Sequence, residues 1–358
     1  MKILYKWLCH AVFAGMTPCA TAQHIGLSYA SELQYDLRGS CNWVNLLCLE
    51  GEWECGPGKA GLKSIHIFKT DRNPLFPDRQ TFSNIEEENL AASIAVMGYT
   101  LGFGKSTVFA GIRNVNEDYF ISPVTSLFTN SSCGIYPTLS LNYPLANYPL
   151  STWCMDYKFR SGGWCLETSL YNGAAHKGFN KKEHVFMGSP RRDGVFSINS
   201  VNYDTYYGSY HYGFALHNRL FPDFQEGAQN SVEQEKEKSP QKKMNFTWWC
   251  YLEQSLFREA KREGRLLVQF SRNECTQSVC RRYAGIGFSL TNLILPVKEN
   301  TLGLFVNRAV FADGTETACE FTWRIEITPM VTLQPAVHKV FNPEGSFGVA
   351  MVRLIVMM

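Results

Sequence analysis

Alternation with a period of two restricts this chain more than any other feature. From Leu27 to Arg38 the odd positions are Leu27, Tyr29, Ser31, Leu33, Tyr35 and Leu37. The even positions are Ser28, Ala30, Glu32, Gln34, Asp36 and Arg38. Strand side chains point alternately to opposite faces, so the first set shares one sheet face and the second set the other. The design recurs. Trp153, Met155, Tyr157 and Phe159 oppose Cys154, Asp156, Lys158 and Arg160, and after the turn signal Ser161-Gly162-Gly163, Trp164, Leu166 and Leu170 oppose Cys165, Glu167 and Ser169. Cys319, Phe321, Trp323, Ile325 and Ile327 oppose Glu320, Thr322, Arg324 and Glu326. In the last run, Ala350, Val352, Leu354 and Val356 oppose Arg353.

Two architectures generate such runs. A soluble β-sandwich turns its apolar faces inward. A transmembrane barrel turns them outward to lipid and keeps a polar lumen. Mixed-charge ladders such as Asp156-Lys158-Arg160 suit water rather than a dry core, and aromatics near strand ends, among them Trp153, Trp164, Trp248 and Trp249, suit an interfacial girdle. The start of the chain agrees: Lys2 and Lys6 precede a modest apolar stretch, and Ala20-Thr21-Ala22 is an A-x-A cleavage signal before Gln23. The expected organisation is a signal peptide over 1–22 and one domain over 23–358. At about 20 residues for each strand with its share of turn, that domain holds about 16 strands. The fold expected is therefore all-β, an antiparallel transmembrane β-barrel of about 16 strands around a water-filled lumen.

Composition removes several other classes. Lys+Arg 34 nearly balances Asp+Glu 32, without the basic excess of a nucleic-acid binder. No stretch beyond the N-terminus is long and apolar enough for a membrane-spanning helix. The cysteines form no C-x-x-C pair, and no metal is expected. Gly98 to Ser106 has the look of a phosphate loop but places five residues between Gly98 and Gly104 where the motif needs four. Glu320 and Glu326 lie about 20 Å apart along a strand, too far to act as a glycosidase pair. No enzyme activity and no cofactor are expected. Gln225 to Lys243 reads as an exposed polar loop, and Asp71 to Asn89 as either a surface loop or a short lumen insert.

The segment Phe109-Ala-Gly-Ile-Arg-Asn-Val-Asn-Glu-Asp-Tyr-Phe120, followed by Ser126-Leu-Phe-Thr-Asn-Ser-Ser-Cys-Gly134, resembles the carbohydrate-selective porin family (OprB-like). Tyr148-Pro149, Ser169-Leu-Tyr-Asn-Gly173, Tyr251-Leu-Glu-Gln-Ser-Leu256 and the stretch from Glu316 through Asn342-Pro-Glu-Gly345 follow as further landmarks in the same order. The resemblance implies passive, carbohydrate-selective diffusion of mono- or oligosaccharides across the outer membrane of a Gram-negative bacterium. It also implies outer-membrane lipid and the barrel assembly machinery as partners, and no nucleic acid. The candidate lumen lining is Arg113, Glu117, Asp118, Asp156, Lys158, Arg160, Glu167, Glu320, Arg324, Glu326 and Gln334. Taken singly, each reads first as ordinary lumen solvation or a rim ion pair; taken as a set, they read as a pore lining. Two other functions remain open on the residues alone: a non-transporting barrel acting as adhesin or surface anchor, and a secreted sugar-binding β-sandwich. A closed barrel stays folded in detergent, so the purified protein should migrate faster on a gel unheated than boiled; identical mobility would rule the barrel out.

Overall fold

A computed structural model describes residues 24–219, 245–275, 277–293 and 299–358. The signal-peptide segment 1–22 and the polar segment Gln225 to Lys243 lie outside the described residues. The first eight strands are β1 (His24–Tyr35), β2 (Cys41–Cys55), β3 (Gly58–Lys69), β4 (Leu90–Phe103), β5 (Ser106–Arg113), β6 (Thr152–Ser161), β7 (Trp164–Asn172) and β8 (Val195–Asp204). The others are β9 (Gly208–His217), β10 (Asn245–Glu259), β11 (Arg262–Asn273), β12 (Cys280–Thr291), β13 (Asn300–Phe311), β14 (Thr315–Thr328), β15 (Val331–Asn342) and β16 (Gly345–Met357). Each pairs antiparallel with its sequence neighbours, and β1 pairs with β16, so the sheet closes into a 16-stranded barrel with no free edge. The closing register sets Glu32 opposite Arg353 and Leu33 opposite Val352. A single closed sheet replaces the two packed sheets of a sandwich, which removes that alternative.

Burial is inverted relative to a soluble protein. Outward residues are apolar and open, with Met155 62% and Phe321 50% exposed. Inward residues are polar and covered, as with Glu32, Asp156 and Glu320. Lipid on the outside and polar groups within satisfy both sets. Tight turns join the strands at one end: Gly162-Gly163 links β6 to β7, and Gly104-Lys105 links β4 to β5. Gly104 and Gly162 have φ of 59° and 60°, the left-handed region that two-residue hairpins need and that glycine reaches without strain. The apparent phosphate loop is this hairpin. The connections 70–89, 114–151 and 173–194 all fall at the opposite end. Short periplasmic turns and long extracellular loops are the usual asymmetry of such barrels, which orients the chain.

Two of those connections fold into the bore. After Arg113 the chain leaves the wall, so β5 is short, and 114–151 crosses the lumen with helical turns at Ser131–Gly134 and Pro137–Ser140. Its aromatic side packs on the inner wall from β8 to β13. Tyr136 stacks on Tyr283 at 4.9 Å, Phe128 meets Phe305 at 4.9 Å, and Phe120 meets Trp249 at 5.1 Å between ring centroids. Wall glycine makes this approach possible: a Cβ on Gly303 would lie 2.8 Å from Leu127 and Phe128 side-chain atoms. The second insert, 70–89, packs Phe76 and Phe82 against Ala318, Ala336, Val340, Val349 and Met351. Asp71 to Asn89 is thus a lumen insert, one of the two readings its sequence allows. Trp249 departs from the sequence reading. It is inward and buried under the 114–151 insert, whereas Trp164 faces outward, against Tyr203. Their place near a strand end suggested Trp248 and Trp249 together as girdle residues, but adjacent strand positions cannot share a face.

The 70–89 insert carries a pH dependence. Asp78 Oδ2 accepts the Phe82 N–H at 2.7 Å. Burial first, then the neighbouring Glu316 carboxylate, push Asp78 up to about 8 from 3.8. The folded state therefore binds this proton more tightly than the unfolded chain, and the stability it contributes falls as pH rises from about 4 to about 8. Asp78→Asn keeps the acceptor and removes the titration. Between about pH 6 and about pH 9 the unfolding temperature should drop less in this variant than in the unmodified barrel; equal drops would show that Asp78 does not set the slope.

Candidate functional site

The inserts fill the lumen unevenly. The aromatic packing of 114–151 is most extensive against β8–β13, where it meets residues from Phe196 to Phe311, and reaches β5–β7 only through Phe109, Cys154 and Tyr171, while 70–89 occupies the β14–β16 side. A charged strip remains between the first turns of the insert and the wall strands β3 and β5 to β7. Arg113 ends β5, and Glu117 and Asp118 follow at once on the turn that carries the chain inward. That turn is held by Val115, whose N–H donates to the Ala146 carbonyl at 2.7 Å, and by Tyr119, whose hydroxyl donates to the Ile198 carbonyl at 3.1 Å.

The ion pairs form one connected group. Arg113 Nε lies 2.8 Å from Asp118 Oδ2, and its guanidinium stacks on Phe109 at 4.6 Å. Lys158 bonds Asp118 Oδ1 on one side, lies 3.1 Å from Glu167 Oε1 and reaches within 4.0 Å of Asp156 Oδ1. Asp156 also accepts from Ser169 Oγ at 2.7 Å. Across the strip, Lys63 of β3 donates to both Glu117 oxygens at 2.8 and 3.0 Å. Cation side chains here keep contact with water: Lys63 is 27% exposed and Lys158 16%. Oxygens of Asp118, Asp156 and Glu167 approach one another within 4.8 Å, close enough for a cation. The Lys158 ammonium supplies that cation, so the cluster is complete as an ion-pair network.

Of the sequence candidates, Arg113, Glu117, Asp118, Asp156, Lys158 and Glu167 thus come together. Arg160 is exposed near the periplasmic end of β6, where its N–H donates to the Lys105 carbonyl at 2.9 Å. Arg324 and Glu326 lie on the inward parity of β14 near the same end. Glu320 and Gln334 face inward but are covered by the insert. Glu320 accepts the Thr129 and Asn130 N–H groups at 2.8 and 3.0 Å, and Gln334 Nε2 donates to the Leu127 carbonyl at 2.6 Å. They hold the insert and do not join the ion-pair network. Sequence reasoning missed Lys63, although Ile65, Ile67 and Lys69 share its parity. It also missed Glu253, which accepts the Val124 N–H at 2.8 Å and the Ser122 hydroxyl, because nothing local distinguishes a lining carboxylate from an anchoring one.

The comparisons with known proteins agree with this architecture. The family model described as "Carbohydrate-selective porin, OprB family" matches residues 95–353. No curated protein matches the sequence. Among solved structures, the high-pH structure of Pseudomonas putida OprB superposes with a TM-score of 0.79 at 12% identity, covering 94% of each chain. A loop-deletion mutant of OmpT, an outer membrane protein of Vibrio cholerae, gives 0.60 at 7% identity, covering 95% of this chain and 99% of that one. The anion-selective porin of Comamonas acidovorans gives 0.56 at 11% identity, covering 95% and 100%.

Lys158 is the shared partner of three carboxylates, so its removal tests the network. Lys158→Met should cost about 3–5 kcal/mol, the range for breaking a buried pair, and should shift single-channel selectivity toward cations. Unchanged unfolding temperature and ion selectivity would place Lys158 outside the conducting path. The closed barrel, its inserts and the matched span together establish that this chain belongs to the carbohydrate-selective porin family, the OprB family.

Proposed function

We propose that sugars cross this outer-membrane porin along the charged strip formed by Lys63, Arg113, Glu117, Asp118, Lys158 and Glu167, with Asp156 behind it. The observation that supports this path is the uneven filling of the lumen. Aromatic packing is densest against β8–β13, and the partly hydrated ion-pair network lies on β3 and β5–β7, where only Phe109, Cys154 and Tyr171 join that packing. Sugar hydroxyls both donate and accept, so alternating carboxylates and cations can exchange for water at each step. Each contact is individually weak, as passage requires. Arg160 at the periplasmic end, with Arg324 and Glu326 on the same end of β14, would extend the polar path. Glu320 and Gln334 would act indirectly by fixing the insert that narrows the bore. The fold and the family point to a channel rather than an enzyme.

Partners follow from the same surfaces. The open apolar exterior would sit in outer-membrane lipid, and the barrel assembly machinery would insert the chain after removal of residues 1–22. The strip carries four carboxylates, Glu117, Asp118, Asp156 and Glu167, against the three cations Lys63, Arg113 and Lys158. Neutral sugars should therefore pass more readily than anionic sugars of the same size. Liposomes containing the purified protein should swell faster in a neutral hexose than in its uronate. Glu117→Gln should narrow the difference. No swelling in any sugar would favour the non-transporting barrel.

A further inference from the structure

The shortness of β5 has a structural consequence at the extracellular end. Its pairing with β4 ends at Val96 and Arg113, so the β4 residues above, Leu90 to Ala95, have no β5 partner. The 173–194 connection fills this gap in the wall. The Gly178 N–H donates to Ser93 Oγ at 3.0 Å, and Ser151 and His176 exchange backbone bonds at 3.0 and 3.1 Å. Val185 is fully buried with Ile94 and Ile112, and Phe186 packs near the outward Trp153 at 6.3 Å between ring centroids. Phe179 and His184 pair across a small hairpin whose tip is Asn180-Lys181-Lys182-Glu183. Asn180 Oδ1 accepts the Lys182 and Glu183 N–H groups at 2.9 and 2.7 Å, which fixes the tip.

This segment is part of the wall, at the level of the extracellular strand ends, and its outer side has an unusual composition. Phe179 is 52% exposed. Between 173 and 194 stand five cations, Lys177, Lys181, Lys182, Arg191 and Arg192, against two acids, Glu183 and Asp193. Lys177 pairs with Glu88 and Arg192 with Asp193. Lys181, Lys182 and Arg191 are exposed, and no ion pair among the described residues engages them. An exposed ring, Phe179, with the half-buried Phe186 behind it and unpaired cations beside it at a membrane surface matches the chemistry of a negatively charged headgroup layer, with a ring at the interface and ammonium groups on phosphate.

We propose that this wall segment is a docking surface for phosphorylated lipid headgroups of the outer leaflet. Lys181, Lys182 and Arg191 supply the charge, and Phe179 and Phe186 the apolar contact. Charge complementarity favours lipid as the occupant: the outer leaflet of a Gram-negative membrane presents phosphorylated glycolipid, Lys181 and Lys182 stand at the tip of the hairpin that packs over Ile112 and the outward Trp153, and none of the three cations joins the ion-pair network inside the bore. The segment would join the lipid layer to the outside of the insert-bearing strands.

The test is titration of the full, detergent-folded barrel with lipid A, and separately with dephosphorylated lipid A of the same acyl chains. Lipid A should bind saturably, and the dephosphorylated form about tenfold more weakly or less. Lys181→Glu/Lys182→Glu and Arg191→Glu should each weaken lipid A binding several-fold while keeping the heat-dependent gel shift and the sugar swelling rate. Equal binding of both lipids would overturn the proposal, as would charge-reversed variants that bind like the original. Competition by inorganic phosphate at concentrations comparable to lipid A would also overturn it, because the surface would then be a free-anion site.

Discussion

The pore depends on where the backbone of the inserts finds hydrogen bonds. A strand in a closed barrel satisfies its N–H and C=O groups with its neighbours, but a segment that leaves the wall gives those partners up. Inside the bore the wall supplies side chains in their place. Glu253 accepts the Val124 N–H, Glu320 the Thr129 and Asn130 N–H groups, and Glu316 the Arg79 and Gln80 N–H groups. Gln334 and Gln269 answer from the donor side, on the Leu127 and Cys133 carbonyls. Charge-assisted bonds of this kind are stronger than neutral ones, and an orphaned buried N–H costs about 1–3 kcal/mol, so each anchor resists loss of the insert.

This anchoring divides the polar lining into two populations that look alike in sequence. One set of carboxylates faces protein and fixes shape. The other, around Lys158 and Lys63, pairs with cations that remain in touch with water. Pairing gives the second set its versatility. An unpaired carboxylate row would bind cations, whereas interleaved charges keep the local field small and leave many weak donors and acceptors along the path. The buried Phe109 ring lies beneath the Arg113 guanidinium and supports it at the edge of the same strip.

Much of the fold was legible because the alternation is physical. Cys319, Phe321, Trp323, Ile325 and Ile327 lie on the outer face, and Glu320 and Thr322 on the inner one, as period two requires. The β6–β7 hairpin, with its Gly162-Gly163 turn, also formed where its residues indicated. Length alone led to 16 strands. The site was legible only in part. Arg113, Glu117 and Asp118 are local neighbours at a strand end, and Asp156, Lys158 and Glu167 are cross-strand neighbours, so short-range pattern brings them together. Whether a lumen residue is open or covered is decided by the path of 114–151, which is long-range. Glu320 meets Thr129 across 191 positions, and no periodicity encodes that encounter. Trp249 failed for the same reason, since aromatic character fits both a lipid girdle and the packing beneath an insert.

The exit of the chain after Arg113 links features that otherwise look separate. It places Glu117 and Asp118 opposite Lys63 and Lys158, so it forms the charged strip. It sends the aromatic side of the insert against the far wall, so it makes the lumen one-sided. It also ends β5 early and leaves β4 without a partner above Val96, in a membrane where open backbone is not tolerated. The 173–194 connection covers that stretch with Gly178, Val185 and Phe186, and the Ser151 hydroxyl donates to the Ile94 carbonyl. A change that lengthened β5 would therefore do more than extend a strand. It would displace the wall segment outside and draw Glu117 and Asp118 away from their cations inside, coupling the outer surface of the barrel to the width of its passage.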